Sequence, residues 1–206
     1  MPIQRVLKTN AVKATHIAAN AVGSSEIAAN AVGSSEIDLT ASYAFTGTVT
    51  GTSSLTLTNS GGVDVAGAAE ADFLNLPSGI KRIAINLYGV SGASSDTGAL
   101  IRLGTSGGLK TSGYGSTSHW GGGGTNDASG MIIYGTHTSN TINGIVIINH
   151  IGSNIYVSSH SIRYNNSNGA FGGAYVDLGG TLDRLRVQLS SGGNMDSGKI
   201  NIIYEI

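Results

Sequence analysis

The segment ANAVGSSEIAANAVGSSEI, Ala19 to Ile37, writes one ten-residue unit twice; the copies 19–28 and 29–38 differ only at Ala28 against Asp38. A looser copy, TNAVKATHIA, occupies 9–18. The repeat sets Val12, Ile17, Val22, Ile27, Val32 and Ile37 five residues apart. Five steps along an α-helix turn the side chain by roughly 140°, so no apolar stripe forms. An odd step along a strand flips the face every time. Neither regular element buries these six residues, whereas short turns alternating with extended links can. Ser24 or Ser25 caps a turn opening near Glu26, whose carboxylate sits at the positive end. Gly23 and Gly33 close such turns in the left-handed conformation. About thirty residues make almost no core of their own. The spacing therefore predicts an intertwined shaft over 9–38, in which three chains stack their Val and Ile in apolar layers.

Composition bounds what surrounds this shaft. Of 206 residues, 32 are Gly and 11% are charged, well below the usual quarter or so. Ser, Thr, Asn and Gly must then build the surface, which suits a turn-rich β fold. The formal net charge of -1 gives no overall electrostatic footprint for nucleic acid. With no Cys, neither disulfides nor thiolate metal sites can form. No apolar run approaches the ~18 residues of a membrane span. The opening MPIQRVLKTN has no secretory hydrophobic core, which predicts cytoplasmic synthesis.

Beyond the shaft, residues 39–69 read as a Thr- and Gly-rich neck. From Glu70 onward, period-two alternation dominates. Ile83, Ile85 and Leu87 alternate with Arg82, Ala84 and Asn86; Leu185, Val187 and Leu189 alternate with Arg184, Arg186 and Gln188; Ile200, Ile202 and Tyr204 share one face. Asn143-Gly144 and Asn168-Gly169 suit type I′ hairpin turns, and Gly152-Ser153 suits a type II′ turn. That last turn would set His150 opposite Ile155 and His160 opposite Ile145. Gly179-Gly180 and Gly192-Gly193 mark two more breaks. The expected fold is all-β: an antiparallel β-sandwich or jelly-roll head over 70–206, carried on the trimeric shaft.

The segments LPSGIKRIAINLYGVSG (76–92), ALIRLGTSGGLKTSGY (99–114) and GTLDRLRVQL with SGKINIIYE (within 180–205) resemble a β-rich module of bacteriophage tail-fibre and related virion proteins. The likeness covers most of 72–206 and is weakest over 115–169. The decapeptide is similar to repeats of phage fibre shafts. Together these resemblances imply a homotrimeric fibre, assembled in the host cytoplasm and resident in the virion. It would bind other virion proteins through its N-terminus and present its head to a host-surface polysaccharide or protein. A head or neck fibre, or a capsid decoration protein, is the rival expectation within the particle. A tail-associated polysaccharide-degrading enzyme is the rival from another class. Residues 1–8 would be the anchor, with Ile3, Val6 and Leu7 apolar and Arg5 and Lys8 basic, suited to an acidic patch on a neighbouring protein.

No catalytic constellation stands out, and neither a cofactor nor a metal is expected. Gly104-Thr105-Ser106-Gly107-Gly108 matches G-x-S-x-G, yet a nucleophile elbow needs a following helix and LKTSGYGS has no helical pattern. Asp96, Asp127, Asp177, Asp183 and Asp196 are scattered rather than paired for glycoside cleavage. The five histidines, His16, His119, His137, His150 and His160, read as polar strand or loop positions. Two glycine-rich stretches, 113–130 and 163–173, read as recognition loops. Their candidate contacts are Tyr114, His119, Trp120, Asn126, Asn165, Asn166 and Phe171, because aromatic rings on polar loops stack on sugars or anchor protein contacts.

Overall fold

The computed structural model describes residues 58–92, 98–135, 140–164 and 168–206. The expected anchor residues (Ile3, Arg5, Val6, Leu7, Lys8), the shaft positions from Val12 to Ile37, and Asn165 and Asn166 lie outside the described residues.

Among the described residues every regular element is a strand: β1 (Thr58–Asn59), β2 (Val63–Asp64), β3 (Glu70–Phe73), β4 (Arg82–Gly92), β5 (Gly98–Thr105), β6 (Gly108–Leu109), β7 (Gly115–Trp120), β8 (Gly123–Asp127), β9 (Met131–Tyr134), β10 (Ile142–Gly152), β11 (Ile155–Arg163), β12 (Gly169–Asp177), β13 (Arg184–Leu189) and β14 (Met195–Glu205). They pair antiparallel into two sheets. The larger runs β1-β14-β4-β10-β11-β12-β7-β8, with β2 also on β14. The smaller runs β3-β13-β5-β6, with β9 also on β5.

The sandwich-like core follows from the alternation. Ile83, Ile85 and Leu87 of β4, Val146 and Ile148 of β10, and Ile200 and Ile202 of β14 point inward from the large sheet. Ile101 and Leu103 of β5 meet them with Leu185, Val187 and Leu189 of β13. Each fully buried Leu or Ile contributes roughly 1.5–3 kcal/mol of transfer free energy. The opposite face of β13 carries Arg186, which bridges Asp72 at 2.6 Å and Glu70 at 2.6 Å, both on β3. A polar seam joins the sheets: Ser116 Oγ accepts from Ile132 N at 2.7 Å, and Ser118 Oγ accepts from Tyr134 N at 3.1 Å. Two inward serines of β7 thus satisfy edge amides of β9, which burial would otherwise leave unpaired.

Several sequence expectations are corrected. The domain begins earlier than residue 70, because β1 and β2 pair with β14 and Val65 is fully buried. Asn143-Gly144 is not a turn but lies inside β10. Gly144 uses its freedom in a bulge opposite β4 instead, at φ +153, and a Cβ there would press on Ser161 O at 2.5 Å. Gly169 opens β12, paired with Arg163, and the hairpin closes upstream through Tyr164 N to Asn168 O at 3.1 Å. The β10–β11 hairpin is present, but its turn is one residue later, with Ser153 and Asn154 both at positive φ (50° and 61°) as a type I′ turn demands. Together with the register shift between His150 and Gly152, this sets His150 opposite Tyr156 and His160 opposite Val146. Gly179 and Gly192 fall in breaks as expected. Ser106 and Gly107 form the turn between β5 and β6, so a strand, not a helix, follows the G-x-S-x-G match.

Candidate functional site

The stretch 113–130, read above as a loop, is mostly a hairpin. β7 alternates Ser116 and Ser118 inward with Thr117 and His119 outward, and β8 pairs back on it in register, Thr117 with Asn126 and His119 with Gly124. The period of two was present in the sequence, carried by serines rather than by apolar residues. β12 then lies on β7's other side, Phe171 opposite His119 and Gly173 opposite Thr117.

Register places the outward side chains in rows across the strands. One row runs Ser161, Phe171, His119, Gly124; the next runs Ser159, Gly173, Thr117, Asn126. Beyond them Val157 meets Tyr175, which meets Gly115. Phe171 and Tyr175 are 64% and 60% exposed, and they flank Gly173 on one face of one strand. Four residues of strand separate the two rings by ~13 Å along the chain. Against Tyr175 lies a shallow hollow of about 650 Å³, lined also by Gly115, Thr117, Asn126, Val157 and Gly173. A neighbouring hollow of about 340 Å³ shares Thr117 and Asn126 and adds His119 and Thr125.

Local bonds hold this surface still. The His119 ring stacks near Phe171, centroids 6.3 Å apart at 26°. Thr117 Oγ1 donates to Thr125 O at 3.3 Å and lies 3.0 Å from His119 Nε2. The Tyr175 ring lies over Gly115, in space that a Cβ at that position would need. No charged side chain stands in these rows. The surface offers two aromatic faces, a hydroxyl, an amide and an imidazole, a set suited to a neutral polar ligand.

Of the expected contacts, His119, Asn126 and Phe171 come together here. Tyr114 does not: it is 5% exposed, and its Oη accepts from Leu103 N at 2.9 Å. Burial pushes its phenol pKa up to about 12, against the opposing pull of the Leu103 hydrogen bond. It is a core residue, and a role as a surface contact is withdrawn. Trp120 is half-buried, stacked on Tyr134 at 3.6 Å and 8°, with Tyr134 edge-on to Tyr164 at 5.3 Å. Its strand parity turns it away from the face that carries His119. Tyr175 and Gly173 were missed, although Phe171 and Tyr175 share parity around a glycine. His160 is not a surface residue either. It is 7% exposed, and its Nε2 lies 2.8 Å from Ser118 Oγ. Ser118 Oγ, which accepts from Tyr134 N, thus also shares a hydrogen bond with His160 Nε2, and a hydroxyl can serve there as donor or as second acceptor. Burial lowers the His160 pKa to about 4. Among the described residues no three His, Cys, Asp or Glu side chains are grouped to hold a metal ion.

Comparison with protein-family models, with curated proteins and with solved structures finds no match to this chain.

Proposed function

We propose that this chain is a short homotrimeric fibre of a bacteriophage particle, held by its N-terminal arm, whose β domain is a head that adheres to the host surface. The observation that carries adhesion is the outer face of β12, β7 and β8, where exposed Phe171 and Tyr175 share one side of β12 with Gly173 and the charge of Asp177 stands at the strand's end. A solitary exposed aromatic needs no explanation, but two on one rigid strand, over a hollow edged by hydroxyl and amide groups, match a saccharide's alternation of apolar ring face and polar rim. The trimer is supported by the five-residue Val/Ile spacing of the repeat, which neither a helix nor a strand would gather onto one face. Three heads raise avidity without further contacts, so a weak single site suffices.

Two measurements test this. Native mass determination is expected to give a trimer, and replacing Ile17, Ile27 and Ile37 together by Asp is expected to give monomers. A wild-type monomer would end the fibre reading. In adsorption assays, Phe171→Ala with Tyr175→Ala is expected to lower host binding by about tenfold or more while leaving the melting temperature nearly unchanged, since both rings are exposed. Normal adsorption by particles carrying the double variant would favour a decoration role instead.

A further inference from the structure

Three adjacent strands of the large sheet are irregular at one level. Against β4, β14 shifts register between Met195 and Ser197 and again between Ser197 and Lys199. On β4's other side, β10 shifts between Ile142 and Gly144. Gly89 and Gly198 take φ +64 and +113 there, and a Cβ at Gly198 would stand 2.6 Å from Val90 Cα. Side chains of both neighbouring strands fix the distortion. Gly89 N donates to Asn143 Oδ1 at 2.8 Å, and Ser197 Oγ donates to Gly89 O at 2.8 Å. Bulges re-aim side chains beside binding sites, and unusual backbone persists where its surroundings over-determine it.

Beside those bulges runs one row of outward side chains. Asp64 pairs with Lys199, Lys199 with Tyr88, and Asn143 with Arg163, so the row crosses β2, β14, β4, β10 and β11. Tyr88 is 73% exposed, the most exposed large apolar-bodied side chain among the described residues. The row lines a hollow of about 630 Å³. Asp64 spends one carboxylate oxygen on Ala66 N, at 3.0 Å, in its own turn. Lys199 and Arg163 thus bring two cations to the hollow, and Asp64 one anion.

We propose that this hollow binds an acidic oligosaccharide, with its anionic groups at Lys199 and Arg163 and a sugar face on Tyr88. Lys199 and Arg163 stand three strand spacings apart, ~14 Å between backbones, so the ligand spans more than one sugar and lies across the strands. An acidic peptide fits less well. Peptides commonly add to an open sheet edge, and β14, β4, β10 and β11 are each paired on both sides. The site is separate from the Phe171–Tyr175 face and stands or falls without it.

Calorimetric titration of the full chain at low salt tests it. The probes are tetramers of galacturonate and of sialic acid, a sulfated tetrasaccharide, the carboxyl-reduced galacturonate tetramer, and tetraglutamate. At least one acidic saccharide is expected to bind, more weakly as salt rises. Its neutral counterpart is expected not to bind. Lys199→Glu and Tyr88→Ala are each expected to weaken binding by about tenfold or more, with unchanged melting because both side chains are exposed, whereas Phe171→Ala leaves it intact. The proposal is overturned if no acidic saccharide binds, if the reduced tetramer binds equally, if tetraglutamate alone binds, or if Lys199→Glu and Tyr88→Ala leave affinity unchanged.

Discussion

Lowering the pH from 7 to 4 is expected to remove about 3 kcal/mol of the β domain's stability through His160 alone. Burial holds the folded-state pKa at about 4, below the ordinary 6.5. Between these values the unfolded chain binds a proton that the folded one does not, so stability falls as the pH falls. The contribution is fully present above pH 6.5, is lost progressively below it, and levels off once the pH is under about 4. In structural terms, a protonated ring would be a charge in a seam whose nearest partner is a hydroxyl, Ser118 Oγ at 2.8 Å. His160→Gln keeps an acceptor near the Nε2 position and carries no titrating group. Urea unfolding of both proteins at pH 7, 5.5 and 4 measures the effect. The wild type should lose about 3 kcal/mol more than the variant across that range. Parallel pH profiles would show that His160 does not set the acid sensitivity.

That seam shows why part of this fold was legible in sequence and part was not. Apolar alternation identified the β4, β13 and β14 faces, because burying one face of a strand demands it. The β7–β8 hairpin carries the same alternation in Ser and Thr, which a hydrophobic pattern does not register. His160 sits on β11 between Ser159 and Ser161, both exposed, and nothing local marks its inward face. A two-residue turn at Gly152-Ser153 pairs His160 with Ile145, whereas the turn lies at Ser153-Asn154 and His160 pairs with Val146. A bulge beside Gly152 then moved the register, which is a tertiary outcome rather than a local one. The aromatic candidates divide on the same principle. Phe171 faces out and Tyr114 faces in, although both stand in glycine-rich surroundings. Parity could have separated Phe171 and Tyr175 from Ala170 and Ala174 once β12 was recognised as a strand. Its run of Gly and Ala concealed that. Tyr88 and Lys199 share a row through the regular β14–β4 register, a long-range pairing that no local spacing in the chain announces.

Replacing Gly172 by alanine is expected to be strongly destabilising. Gly172 faces inward on β12, where a Cβ would collide with Thr117 O of β7. It would also stand 2.6 Å from His160 Cε1 and 2.9 Å from Ser118 Cα. Two of these three atoms are backbone of a paired strand, so relief requires moving β7 and not merely turning a side chain. Moving β7 would strain the hydrogen bonds that Ser116 Oγ and Ser118 Oγ accept from the β9 amides, and would shift Thr117 and His119 on the outer face. Overpacking of this kind costs roughly 1–3 kcal/mol, and the rigid neighbours put Gly172→Ala at the upper end, with Gly172→Val worse. Gly121→Ala is the control, because nothing lies within 4 Å of a Cβ there and its φ is not in the glycine-only range. Restricting the unfolded chain should make that change neutral or stabilising by up to about 1 kcal/mol. Urea midpoints for the two variants are therefore expected to move in opposite directions, or Gly121→Ala not at all. Since His160 and Gly172 touch, their effects should not add: in His160→Ala, which removes the ring, Gly172→Ala should cost less than it does in the wild type. An equal cost in both backgrounds would place the whole clash on the β7 backbone and remove His160 from the account.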